Sequence, residues 1–113
     1  MIRILYSPTE NQYRTDLELA DVPSLLTDLQ GLLWLDFSEE PLQVGENILR
    51  TIFNFHPLAV DDALREAHVP KIDDWQEYLY VVLRAFTYIK ENEEGDEETQ
   101  VPELDIFVGH HFV

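Results

Sequence analysis

A chain of 113 residues that is 45% hydrophobic, with two Trp, five Tyr and six Phe, carries enough apolar material for one folded domain over residues 1–113. Its net charge of −16, from 23 acids against 7 Lys and Arg, argues against nucleic acid or an anionic membrane surface as partner, because both need a basic face. Cations or a basic protein surface fit that charge, and the lack of cysteine excludes disulfides and thiolate metal sites.

The N-terminal "MIRILYSPTENQY" has no apolar run of signal-peptide length, and its first six residues alternate as a strand does. No stretch reaches the ~18 apolar residues of a membrane span, so the chain as given is expected to be soluble. Leu17 to Ala20 reads as a short strand. Asp21-Val22-Pro23 then opens a helix, capped by Asp21 or Ser24 and running to about Gln30, with Gly31 as its C-cap. "LLWLDF", 32–37, is a short apolar run of buried-strand length. Ser38 and "EEP" predict a cap and first turn for an amphipathic helix over 39–53, with Leu42, Gly45, Ile48, Leu49, Ile52 and Phe53 at helical spacing. Asn54 suits the left-handed residue that closes it.

His56 and Pro57 start the next helix, with Val60, Leu64 and Ala67 as its apolar stripe and Pro70 as its stop. "YLYVVLRAFTYI", 78–89, is the clearest strand in the chain. An acid-rich hairpin loop follows over 90–98, without the ligand spacing of an EF-hand. "LDIFVGHHFV", 104–113, predicts a strand pair, or one strand and a turn at Gly109. An apolar ending at Phe112-Val113 is expected of a chain that continues. The element order predicts an α/β (α+β-like) fold, a mixed β-sheet layered with helices.

Two carboxylate pairs stand out. Asp61 and Asp62 are neighbours on a helix and point about 100° apart, so they do not form a claw on one ion by themselves. Asp61 can pair with Arg65 at i,i+4, while Asp62 faces Glu66, a repulsion that a cation would relieve. As plain surface acids, both would suit the N-terminal half of a helix. Asp73-Asp74 reads as a polar loop before a strand, with Lys71 near enough to pair with one of them. His56 and His68 sit at helix ends, and His110-His111 in a strand would face opposite sides. No zinc-type His spacing, phosphate loop or activated nucleophile is present. A metal-dependent enzyme would need Asp61, Asp62, Asp73 and Asp74 to converge. No enzymatic activity is expected.

Trp34-Leu35-Asp36, His56-Pro57-Leu58, Asp61-Asp62, Pro70-Lys71 and Gly109 to Val113 occur in that order. Together they resemble the N-terminal cytoplasmic domain of the CorA family of magnesium transporters, over roughly residues 32–113. The family pattern is a W-[IL]-D strand, a helix ending in HPLalED, a Pro-Lys pair, an aromatic-rich strand, and a late strand of the form lfvGknFlvT. The resemblance implies a homopentamer at the cytoplasmic face of the cell (inner) membrane. Its stalk, two membrane helices and Gly-Met-Asn pore signature are absent from this chain, so contact with the membrane would come only through that further part. It also implies regulatory Mg2+, or another divalent cation such as Co2+ or Zn2+, held between subunits at Asp61 and Asp62 with an acid from a neighbouring stalk, favouring the closed channel. Asp61 stands where the family has Glu and is one methylene shorter; Asp62 keeps the family residue. Two other readings remain: a stand-alone acidic protein-interaction module, and a domain of a related zinc or other divalent-cation transporter.

Overall fold

The computed structural model describes residues 1–65, 69–85, 87–88, 99–100 and 102–113. Strands β1 (Ile2–Ser7) and β2 (Leu32–Phe37) pair antiparallel, from Ile2 opposite Phe37 to Ser7 opposite Leu32. Alternation sets their faces. Ile4, Tyr6 and Leu33 point inward onto Val22, while Leu5 and Trp34 stay exposed.

The link between these strands departs from expectation. Leu17 to Ala20 is not a strand; Leu19–Asp21 forms a 3-10 turn that runs into a short helix, α1 (Val22–Leu25). The cause is local. The Glu18 N–H donates to the Asp21 carboxylate at 2.8 Å, and Pro23 presets a helical φ. The helix also stops well short of Gln30. Asp28 accepts from the Tyr6 hydroxyl and from the Gln30 N–H, and so replaces the next helical turn with a side-chain turn. Gly31 is therefore no C-cap. It is needed because a Cβ there would overlap the buried Tyr6 ring and hydroxyl.

The predicted 39–53 helix begins later than expected. Glu39 takes φ 56°, which no helix start tolerates, and Pro41 rather than Ser38 is the N-cap of α2 (Leu42–Glu46). The coil then widens over Asn47–Ile52 into π-type turns, with the Phe53 N–H bonded to the Ile48 carbonyl at 3.0 Å. The predicted apolar spacing holds through this change, since Gly45, Ile48 and Leu49 are buried. Asn54 takes φ 56° and turns the chain toward α3 (Pro57–Leu64), as its sequence suggests. Asn54→Ala should therefore cost about 1 kcal/mol in urea denaturation and Asn54→Gly almost nothing. Equal losses from both would disprove the left-handed requirement.

The second sheet has the order β3 (Lys71–Asp74), β4 (Tyr78–Arg84), β7 (Glu103–Gly109), all antiparallel. A further two-residue ladder joins β5 (Thr87–Tyr88) to β6 (Thr99–Gln100). The expected strand over 78–89 thus ends at Arg84 and pairs again beyond it. The acid-rich run at 90–98 and His68 lie outside the described residues. Asp73-Asp74 is not a loop but the end of β3, because the register places Asp73 opposite Tyr80 and Asp74 opposite Leu79.

β7 is one strand with a turn, the second of the two expected forms. The Gly109 N–H donates to the Phe112 carbonyl at 2.9 Å, and residues 111–113 then run parallel to β2 through three backbone hydrogen bonds of 2.8, 2.9 and 2.8 Å. This parallel segment links two antiparallel sheets, giving the predicted layered α/β fold. The inward face of β4 and β7 packs Tyr80, Val82 and Phe107 against Leu49, Phe55, Ala59 and Val60. The opposite face leaves Ile72, Leu79, Leu83 and Leu104 exposed. Among the described residues no helix is long and apolar enough to cross a membrane.

Candidate cation site on helix α3

Helix α3 is placed by its first residues. His56 is the N-cap: its Nδ1 accepts from the Leu58 N–H at 3.1 Å, and its own backbone N–H donates to the Tyr78 hydroxyl at 2.9 Å. The imidazole stacks on Trp75, ring centroids 4.6 Å apart. Its ring nitrogen is thereby used in structure. Ala59 and Val60 are fully or almost fully buried, and Ala63 and Leu64 pack beside them. That apolar face turns Asp61 and Asp62 outward, on divergent sides of the helix.

The two aspartates have different surroundings. Asp61 is exposed. Among the described residues no ion pair joins it to Arg65, whose backbone N–H bonds the Asp61 carbonyl at 3.1 Å instead. Glu66, the expected neighbour of Asp62, lies outside the described residues. Asp62 is half-buried and accepts from Lys71 Nζ at 2.6 Å. Lys71 also reaches the Asp73 carboxylate at 2.8 Å, so one ammonium ties α3 to β3. The expected Lys71–Asp73 pair is thus present, but it is shared with an acid nine residues earlier.

The sheet face under this ammonium adds further charge. Lys71 stands opposite Val82 and Val82 opposite Asp105, in one row across three strands. Lys71 Nζ lies 5.4 Å from the centroid of the Tyr80 ring. The Tyr80 hydroxyl donates to Asp105 at 2.5 Å. Burial pushes the Asp105 carboxyl up to about 6; the Tyr80 hydrogen bond opposes that shift, while the negative fields of Glu103 and Asp62 add to it. The Tyr80 phenol is pushed up as well, first by burial and then by its bond to Asp105. Lys71 is held protonated, first by Asp62 and then by Asp73.

The other candidates disperse. Asp74 points to the opposite face of β3, where its carboxylate accepts from the Gln76 N–H at 2.8 Å in the turn to β4. The four aspartates of the enzyme reading therefore do not converge. His110 and His111 have ring centroids 6.4 Å apart. Among the described residues no group of three His, Asp or Glu is placed to hold a metal ion. A cleft of about 540 Å3 lies between β2 and β7 over an apolar floor of Ile48, Leu49, Phe53 and Phe55, and neither Asp61 nor Asp62 lines it. Mg2+ takes one or two carboxylates and keeps several waters. Asp61 fits that need as it stands. Asp62 fits only when Lys71 moves away, and among the described residues no third His, Asp or Glu is placed beside them.

Sequence reasoning missed two partners, the Lys71–Asp62 bridge and the Tyr80–Asp105 bond. A signal for the second was present: Asp105 stands two residues before Phe107 in an alternating strand, which sends both to the same inward face.

The profile of the family described as CorA-like Mg2+ transporter protein matches residues 29–113. The chain belongs to the CorA family. A protein named "Putative metal ion transporter YfjQ" from Bacillus subtilis is 31% identical over 113 residues, covering all of this chain and 32% of that protein. The "Cobalt/magnesium transport protein CorA" of Thermotoga maritima is 37% identical over 56 residues, 50% of this chain and 14% of that protein. The chain thus spans about a third of the length of the first of these relatives. The family and both relatives are described as transport proteins. The CorA match takes in β2, α2, α3 and the whole β3-β4-β7 sheet, including Asp61, Asp62 and Lys71.

Proposed function

We propose that this chain is the cytoplasmic divalent-cation-sensing domain of a CorA-like transporter. Asp61 and Asp62 supply carboxylates to Mg2+, or to Co2+ or Zn2+, at a contact between subunits of a homopentamer. The observation that carries this reading is the pair itself. One carboxylate is exposed without an ion-pair partner among the described residues, and the next is held only by a lysine ammonium. The CorA family and its transporter relatives supply the context. A cation bridging two chains would neutralise acids that otherwise drive subunits apart, in a chain of net charge −16. An ion that binds the closed assembly better than the open one stabilises the closed assembly.

The test uses the full-length protein in detergent. Protection from a protease is followed against MgCl2, with NaCl of equal ionic strength as control. Wild type should gain protection in MgCl2 alone. The Asp61→Asn, Asp62→Asn double variant should move the midpoint at least about tenfold higher, the loss of roughly one charge-assisted ligand pair. An unmoved midpoint sinks the site. A stand-alone acidic interaction module instead predicts equal effects of the two salts.

A further inference from the structure

We infer that Lys71 is a tethered counter-cation for Asp62, and that a divalent cation at the Asp61–Asp62 pair must displace its ammonium. This rests on the cation-sensing reading above and names how that site is regulated. The ammonium sits 2.6 Å from Asp62 and 2.8 Å from Asp73, at the distance of charge-assisted hydrogen bonds. A carboxylate oxygen so occupied is closed to a metal.

The arrangement is also built to open. The side chains of Lys71, Asp62 and Asp73 remain 29%, 46% and 37% exposed, so water and ions reach the bridge. A partly exposed pair of this kind is held by little free energy. Lys71 loses only one partner when it releases Asp62. Asp73 still accepts from it, and the Tyr80 ring face still lies within cation–π range, with Asp105 on the Tyr80 hydroxyl adding negative potential behind. The released state is therefore not an unpaired ammonium. A doubly charged cation interacts with the Asp62 carboxylate about twice as strongly at a given distance as the single charge of Lys71 does, and the exposed Asp61 adds to the same negative field.

The consequence is a lower affinity for divalent cations. Without Lys71, the carboxylates of Asp61, Asp62 and Asp73 would leave an uncompensated acidic surface over α3 and β3 that divalent cations saturate at low concentration. With it, the apparent affinity falls by the fraction of time Asp62 is unbridged. The lysine sets the concentration at which the sensor responds.

Protease protection of the full-length protein against MgCl2, with NaCl matched for ionic strength, tests this on Lys71→Met and Lys71→Arg. Methionine keeps much of the stem and removes the charge; arginine keeps the charge. Lys71→Met should move the Mg2+ midpoint at least about fivefold lower, and Lys71→Arg should stay within about twofold of wild type. A Lys71→Met protein that responds only like wild type, while the Asp61→Asn, Asp62→Asn protein loses the response, overturns the role of Lys71 and leaves the sensing reading intact. No Mg2+ response in wild type or in Lys71→Met overturns both. A response in Lys71→Met with none in wild type overturns the sensing reading for the native chain, and this inference with it. If Lys71→Met loosens the fold, its protection falls in both salts, so Lys71→Gln is the second neutral variant. A midpoint in Lys71→Gln no lower than in wild type overturns the proposal.

Discussion

Phe55→Ala should lower the unfolding free energy by about 3–5 kcal/mol in urea denaturation, the cost of deleting a buried aromatic ring and leaving its cavity. Phe55 is 5% exposed, and its ring contacts several others. It stacks on Phe107 at 4.2 Å and lies 4.5 Å from Tyr78, 5.2 Å from Phe53 and 5.6 Å from Phe112. Those rings come from β7, β4, the end of the α2 coil and the C-terminal segment, so a single deletion loosens all four. Small domains are stable by only about 5–15 kcal/mol, and the variant should lie close to unfolding at 37 °C. Phe55→Leu keeps most of the volume and should lose about 1.5 kcal/mol. A loss below about 1 kcal/mol for Phe55→Ala would contradict the central place of this ring.

Asp105→Asn should stabilise the protein at neutral pH and change its pH dependence. The Asp105 carboxyl is raised from 3.8 to about 6 by burial. A carboxyl raised in this way binds its proton more tightly when folded than when unfolded. Its destabilising charge is absent below about pH 4 and fully present above about pH 6, so it lowers stability as pH rises through that window. The full linkage would be about 3 kcal/mol, and solvent access to a half-buried group reduces it to about 1 kcal/mol. Asparagine keeps the oxygen that accepts from the Tyr80 hydroxyl. The variant should therefore gain about 1 kcal/mol at pH 7.5 and nothing at pH 4 in paired urea titrations. The rest of the acidic surface titrates alike in both proteins, so the difference isolates Asp105. Parallel pH slopes for the two would show that this carboxyl titrates as an exposed one does.

Much of the fold was legible because it is local. The apolar run at 32–37 and the β-branched, aromatic run after Tyr78 form strands because their side chains fill one face of a sheet. The His56-Pro57 start of α3 and the left-handed Asn54 follow from backbone preferences of single residues. The family could be read from five short motifs in order, and the profile match over residues 29–113 agrees. The misread elements are those where a distant side chain intervenes. Tyr6 captures Asp28 and ends α1 early. Glu39 takes a positive φ, so Ser38 has no helix to cap. Asp73 and Asp74 looked like a polar loop because only strand pairing with β4 makes them strand residues.

The sequence by itself determined the acidic charge, most of the element types, the family and the identity of the two helix aspartates. Each depends on composition or on residues close together along the chain. The tertiary structure alone decided that Asp61 and Asp62 differ, because Lys71 is nine positions from Asp62 and meets it only when β3 docks beside α3. It alone decided that Asp105 lies under Tyr80, which depends on strand register. Register is set by hydrogen bonds between strands and by the packing of their inward faces, and neither is written in the spacing of one segment.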